Sequence, residues 1–216
     1  FCICRLHRGF LAFSTQVRSF KAWTLLLAAG QGNRLASATG GLAKQFLDWK
    51  GAPLYWESTL VFSRCARVEG LVFVFPEACI DEERERVAGL MRNASLGIPW
   101  KVVAGGALRQ DSVRNGLSAL PDDCMEVLIH DAARPFVSPV LVNRILDGLH
   151  GEASGECVAA CIPGIPVVDT IKVMDEEKKV VATPDRKHLM AVQTPQGFSL
   201  AFLRAAHQRA EQEGWV

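Results

Sequence analysis

Five strand-length apolar runs recur along the chain, each stopped by glycine, proline or a polar pair. Trp23 to Ala28 leads into glycines, Leu71 to Phe75 stops at Pro76, and Trp100 to Ala104 stops at Gly105-Gly106. Met125 to Ile129 runs into His130-Asp131, and Cys157 to Ile162 stops at Pro163-Gly164. Continuous apolar runs of this length predict strands buried on both faces, as in a parallel sheet. Helix signals fill the intervals. Residues 54–66 put Leu54, Phe62 and Cys65 on one stripe, and Asp81 is placed to cap a helix through about Asn93. Val87, Leu90 and Met91 would face inward from that helix, and Val113, Leu117 and Leu120 share a face of the next. Ser138-Pro139 joins an N-cap to proline at the first helical position, and Ser199 opens a last helix through Glu213. Strands alternating with helices predict an α/β chain with a doubly wound, mostly parallel sheet. Val167 to Met174 and Lys179 to Ala182 flank the polar Asp175-Glu-Glu-Lys178 and break that rhythm. They predict a β-hairpin arm projecting from the sheet.

A length of 216 residues suits one domain with a sizeable core. The formal net charge of +1 gives no electrostatic footprint for nucleic acid or an anionic membrane, so neither is an expected partner. No apolar run reaches the roughly 18 residues of a membrane span. Seven scattered cysteines, an odd number, speak against a disulfide framework and for a reducing, cytoplasmic setting. Cys157 and Cys161 fall in an apolar run and are expected to be buried structural residues. The five histidines form no metal-ligand spacing. Residues 1–22 hold Arg5, Arg8, Arg18 and Lys21 without an acid and read as a leader outside the fold, with a single domain over 23–216.

The first loop is the most informative segment: Leu27-Ala28-Ala29-Gly30-Gln31-Gly32-Asn33-Arg34 follows a buried strand. Glycines there let the backbone approach a ligand and present N–H groups to anionic oxygens. A P-loop would need GxxxxGK[ST], which is absent, and a dinucleotide fingerprint would need a small residue where Leu35 stands. The run AAG-x-G-x-R followed by Lys44-Gln45-Phe46 instead resembles the signature of sugar-phosphate nucleotidyltransferases. Arg34 and Lys44 would neutralise charge as the α-phosphorus becomes five-coordinate. In the second loop, Gly105-Gly106 could admit a flat base, and Ser112 is expected at a helix start, where it could also cap. In the third, His130-Asp-Ala-Ala-Arg-Pro135, Asp131 could hold Mg²⁺ or a ribose hydroxyl, and Arg134 could grip a phosphate with a bidentate fork.

Taken with Asp169-Thr170-Ile-Lys172, Asp185-Arg186 and Gln193-Thr-Pro-Gln-Gly-Phe198, these motifs occur in the order seen in methylerythritol phosphate cytidylyltransferases. The resemblance spans about residues 23–216. It implies a Rossmann-like nucleotidyltransferase fold and transfer of CMP from CTP to an alditol phosphate, with Mg²⁺ as cofactor. By the same resemblance, Ala28, Ala29, Gly30, Gln31, Gly32, Gly106, Ser112 and Asp131 would bind the nucleotide. Arg34, Lys44 and Arg186 would be catalytic. Asp131, Arg134, Thr170 and Arg186 would surround the acceptor, with Arg186 reaching from a partner subunit because the family's arm forms a homodimer. From its place at the strand end, Asp131 could hold the metal together with the CTP phosphates.

Three departures stand out. Ala43 replaces the usual proline before Lys44, behind a loop that looks a few residues long. Leu108 stands where an acidic residue is common. The sequence stops at Gly214-Trp-Val216, before the family's Asn-x-Lys-x-Thr segment with its phosphate-contacting lysine. The chain therefore reads as either a fragment or an impaired enzyme. A ribitol phosphate cytidylyltransferase and a catalytically impaired dimerising or regulatory homologue are the alternative functions.

Overall fold

The computed structural model describes residues 21–30, 42–151 and 158–215. In chain order, β1 (Ala22–Leu27) leads to a small ribbon of β2 (Asp48–Trp49) and β3 (Ala52–Pro53). Next come α1 (Tyr55–Ser63), β4 (Val68–Phe75), α2 (Ile80–Asn93), β5 (Trp100–Ala104), α3 (Arg109–Ser118), β6 (Glu126–Asp131) and α4 (Pro139–His150). The chain continues through β7 (Ala160–Cys161), β8 (Gly164–Pro166), β9 (Val173–Met174), β10 (Val180–Ala182), β11 (Met190–Val192), β12 (Gln196–Ser199) and α5 (Leu200–Gln212).

The main sheet runs β5-β4-β1-β6-β12-β7. Its first four strands are parallel, and β12 is antiparallel to both neighbours. The period-2 alternation of the strands builds two cores. Leu26, Leu71, Phe73, Phe75 and Leu128 meet α1, α2 and α4 on one face. Trp23, Leu25, Val72, Val74, Val127 and Ile129 meet α3 and α5 on the other. A side chain of this size contributes about 1.5–3 kcal/mol on full burial, so the central strands form only because both helical layers cover them. The doubly wound reading holds.

Several local readings change. β1 starts at Ala22, fully buried, one residue before the expected start of the fold. Asp81 is not the cap of α2: Cys79 takes that position, and Asp81, Glu82 and Glu83 fill the first turn, where negative charge suits the positive helix end. Ser138 does cap α4, accepting from the Leu141 N–H at 3.2 Å. Ser199 takes the N-cap position of α5 without a side-chain cap bond. The fifth apolar run forms only the short β7 ladder, antiparallel to β12. Cys161 in it is buried as expected, whereas Cys157 lies outside the described residues. The unforeseen β12 occupies an interior position because Gly197 lets α4 sit directly on it. A Cβ there would come within 2.5 Å of Ile145 Cγ2. The arm is present, shorter in hydrogen-bonded length than expected: β9 pairs with β10, and β8 with β11 at its base.

Candidate active site

Open α/β sheets bind ligands at the carboxyl ends of their strands, where the strand order reverses. Here that point lies between β1 and β6, and the three motif-bearing loops leave from the same edge. The start of the first loop is tied down from both sides. The Ala28 N–H donates to Val74 O at 2.8 Å, and the Ala132 N–H donates to Leu27 O at 3.0 Å. Beyond that, the N–H groups of Ala29 and Gly30 have no hydrogen-bond partner among the described residues. N–H groups left open at a strand end can receive an anion. Gln31, Gly32 and Arg34, expected to complete it, lie outside the described residues.

Lys44-Gln45-Phe46 forms a single 3-10 turn beside this loop. Lys44 is exposed, whereas the Gln45 side chain is buried at 4% and donates to Ala28 O and Gly30 O. The motif named Gln45 without giving it a task, since a side-chain-to-backbone bond spanning 17 residues leaves no local signal.

In the second loop the glycine pair serves close packing. The Gly105 N–H donates to Phe75 O at 2.8 Å, and a Cβ at Gly105 would lie 2.3 Å from that of Ala29. This contact holds the first and second loops together. Ser112 lies in the first turn of α3, buried, but is not its N-cap: its Oγ accepts from the Gly106 N–H at 3.0 Å. The cap is made by Asp111, whose Oδ2 accepts from the Leu108 N–H at 3.1 Å. Gly106 and Ser112, both expected to touch nucleotide, are thus bonded to each other.

The third loop is locked by a buried histidine. His130 is fully buried, and its desolvation pulls the pKa down to about 4, so the ring is neutral near pH 7. Arg134 O can only accept, so His130 Nε2 carries the proton and donates to it at 3.0 Å. Nδ1 then accepts from the Thr194 hydroxyl at 3.0 Å, and that oxygen accepts in turn from the Asp131 N–H at 3.4 Å. The His-Asp-Ala-Ala-Arg-Pro loop is thereby fastened to the Thr194-Pro195 turn.

Asp131 and Arg134 face outward from this lock. Asp131 Oδ1 accepts from Arg109 Nη2 at 3.1 Å, and Oδ2 accepts from Arg134 Nε at 3.2 Å. Arg134 Nη1 also donates to Gln193 Oε1. Arg109 and Gln193 were given no role from sequence, although both lie inside quoted motifs. The described residues contain no group of three or more His, Cys, Asp or Glu side chains able to hold a metal. Asp131 offers a single carboxylate with a guanidinium on each oxygen, so a cation bound there would replace at least one arginine contact.

Thr170 and Arg186 belong to the arm segment, between β8 and β11. Arg186 is exposed and donates to Val168 O at 2.7 Å, and no hydrogen bond or ion pair among the described residues joins it or Thr170 to Asp131 or Arg134. The arm carries a run of exposed apolar side chains, including Val168 at 77% and Val181 at 60%.

Residues 23–216 match the protein family described as 2-C-methyl-D-erythritol 4-phosphate cytidylyltransferase. A bifunctional enzyme IspD/IspF from Oleidesulfovibrio alaskensis is 52% identical over 191 residues, 88% of this chain and 46% of that protein. The 2-C-methyl-D-erythritol 4-phosphate cytidylyltransferase of Alkaliphilus metalliredigens is 34% identical over 191 residues, 88% of this chain and 74% of its own. The crystal structure of the Thermus thermophilus protein of that name matches with a TM-score of 0.65 at 30% identity, covering 91% of this chain and 79% of the other. The chain spans about half the length of the bifunctional relatives that it matches. No helix among the described residues is long and apolar enough to cross a membrane.

Proposed function

Because the chain belongs to the 2-C-methyl-D-erythritol 4-phosphate cytidylyltransferase family, we propose that it moves CMP from CTP onto 2-C-methyl-D-erythritol 4-phosphate, a step toward isoprenoid precursors. The observation that carries this reading is the meeting of three features on one sheet edge: the Ala29 and Gly30 N–H groups, without a partner among the described residues, the Lys44 turn tied by Gln45 to the Ala28 and Gly30 carbonyls, and Asp131 between two arginines.

An oxygen of the acceptor phosphate forms the new bond to the α-phosphorus of CTP. The bond from that phosphorus to the bridging oxygen breaks, and the electron pair leaves with pyrophosphate. No general base is needed, because the attacking phosphate is already ionised near pH 7. The protein's share is positioning and charge stabilisation. The first-loop N–H groups and Lys44 hold the triphosphate. Arg134 is placed to grip a phosphate, and Asp131 to accept from a ribose hydroxyl. A magnesium ion would neutralise phosphate charge. Because Asp131 is a single, arginine-bridged carboxylate, the ion fits as one carried by the nucleotide, not as a resident of the protein.

The arm supplies the rest of this reading. Its exposed apolar run suits packing against a second copy, since a two-stranded hairpin is marginal alone in water. Arg186 would then serve the partner's acceptor site. The free thiols of Cys65, Cys79, Cys124 and Cys161 suit a reducing, cytoplasmic setting.

The test is an assay of the purified chain with CTP, Mg²⁺ and 2-C-methyl-D-erythritol 4-phosphate, following pyrophosphate release and the cytidine diphosphate product by mass spectrometry. Turnover of ribitol 5-phosphate in its place, with none of the erythritol compound, would refute the proposed acceptor.

A further inference from the structure

The turn at Lys44–Phe46 gives three consecutive side chains three different surroundings. Lys44 points to solvent, Gln45 is buried against the first loop, and Phe46 enters the aromatic core. The Phe46 ring meets Tyr55 edge-on at 6.3 Å and lies 6.0 Å from Phe75. Tyr55 is itself fixed by donating to Glu83 Oε2 at 2.7 Å in the core. The turn is therefore anchored on its core side.

On the other side Gln45 makes two bonds with one group. Its Nε2 lies 2.6 Å from Ala28 O and 2.8 Å from Gly30 O. Both partners are carbonyls that can only accept, so the group facing them is the amide NH₂, and both its protons are used. Each peptide unit is planar and trans, so its C=O and the following N–H point opposite ways. Pulling the Ala28 carbonyl toward Gln45 therefore turns the Ala29 N–H away from Gln45. That N–H is one of the two without a partner among the described residues.

We propose that Gln45 is a positioning residue for the nucleotide: its buried amide holds the Ala28 and Gly30 carbonyls so that the Ala29 N–H faces the triphosphate, and the turn that carries it sets Lys44 beside that loop. The inference rests on the cytidylyl-transfer reading. It gives the sequence Lys44-Gln45-Phe46 a mechanical logic. Phe46 locates the turn against the core, Gln45 transmits that location to the loop backbone, and Lys44 places its charge by the same turn.

The experiment compares Gln45→Ala and Gln45→Glu with the wild-type chain. Circular dichroism and melting temperature first establish the folded fraction of each. CTP affinity is then measured by calorimetry, and kcat and KM for each substrate by pyrophosphate release. The expected result is a fall in kcat/KM for CTP of about 100-fold per folded molecule, the scale of a catalytic group misplaced by about 1 Å. CTP binding weakens in parallel, while KM for the acceptor stays within about twofold. Gln45→Glu adds a readout that a packing role would not move. Its ionised carboxylate has no donor for the two carbonyls, whereas its protonated form has one O–H. Its activity relative to wild type should rise as pH falls from about 8 to about 6, because burial raises a carboxyl pKa. Folded variants that match wild type in CTP affinity and kcat/KM would overturn the inference. So would a loss explained by folded fraction alone, with KM for CTP unchanged and a flat pH ratio. A wild type that binds CTP but transfers nothing to the acceptor would instead refute the function, and the calorimetric arm would still decide the role of Gln45.

Discussion

Protonating His130 should loosen the third loop and destabilise the fold, and the size of the effect follows from its surroundings. The ring is fully buried beside Phe62, and desolvation lowers its pKa from the ordinary 6.5 to about 4. The folded value lies below the unfolded one, so the neutral ring is the form that the fold holds. Its contribution is fully present above about pH 6.5 and is lost as pH falls through about 4. At about 1.4 kcal/mol per pH unit, that gap amounts to about 3 kcal/mol. Small domains have about 5–15 kcal/mol of net stability, so the loss is a large fraction of the whole. The perturbation is His130→Gln, which keeps a donor for Arg134 O and removes the titration. Urea unfolding of both proteins at several pH values between about 7 and about 4.5 reads the difference. The wild type should lose about 1.4 kcal/mol per pH unit more than the variant below about pH 6.5. Parallel pH profiles would show that the ring does not titrate below its ordinary value, and the lock inferred around Thr194 would fail with it.

Lys44→Ala should lower kcat by about 10²–10³, the scale for losing one transition-state donor; normal turnover would remove Lys44 from the triphosphate site. Gly105→Ala forces a Cβ to within 2.3 Å of the Ala29 Cβ. It should cost about 1–3 kcal/mol in urea unfolding, and an unchanged midpoint would show that the two loops are not packed as described. Val168→Asp with Val181→Asp should turn the proposed dimer into a monomer by light scattering, and an unchanged mass would place any interface elsewhere. In the proposed dimer, Arg186→Ala chains mixed with Lys44→Ala chains should regain activity, since mixed dimers contain one intact site. No regain despite subunit exchange would mean that Arg186 does not act across subunits.

The sequence made the main architecture legible because its central strands are covered on both faces, which leaves continuous apolar runs such as Leu71 to Phe75. It hid β12 for a physical reason. Gln196-Gly-Phe-Ser is short and half polar, and its place inside the sheet comes from α4 resting on Gly197, a contact across some fifty residues of sequence. The capping residues were legible only where the cap is local and conventional. Ser138 precedes proline and caps, while Ser112 follows a double glycine and turns back to bond Gly106 from within its helix. The pairing of Asp131 with Arg109 could not be read from the sequence, because Arg109 opens α3, 22 residues before the end of β6.

The motifs themselves were legible, but their division of labour was not. The segment from His130 to Pro135 reads as one chemical signature, yet its side chains split. His130 lies in the core, neutral, spending both ring nitrogens on Arg134 O and the Thr194 hydroxyl. Asp131 and Arg134 face outward and carry the charge. Thr194 turns inward: its hydroxyl joins the His130 ring to the Asp131 backbone. Two motifs separated by about sixty residues are thus the two halves of one clamp. The same division recurs at Lys44-Gln45, where an exposed cation is followed by a buried amide that holds the neighbouring loop. In both places the specificity of the sequence pattern comes as much from the residues that fix the backbone as from those that would meet the ligand. Asp131, Arg134 and Lys44 stand out by their charge, whereas His130, Thr194 and Gln45 are marked by the hydrogen bonds that their buried polar atoms make.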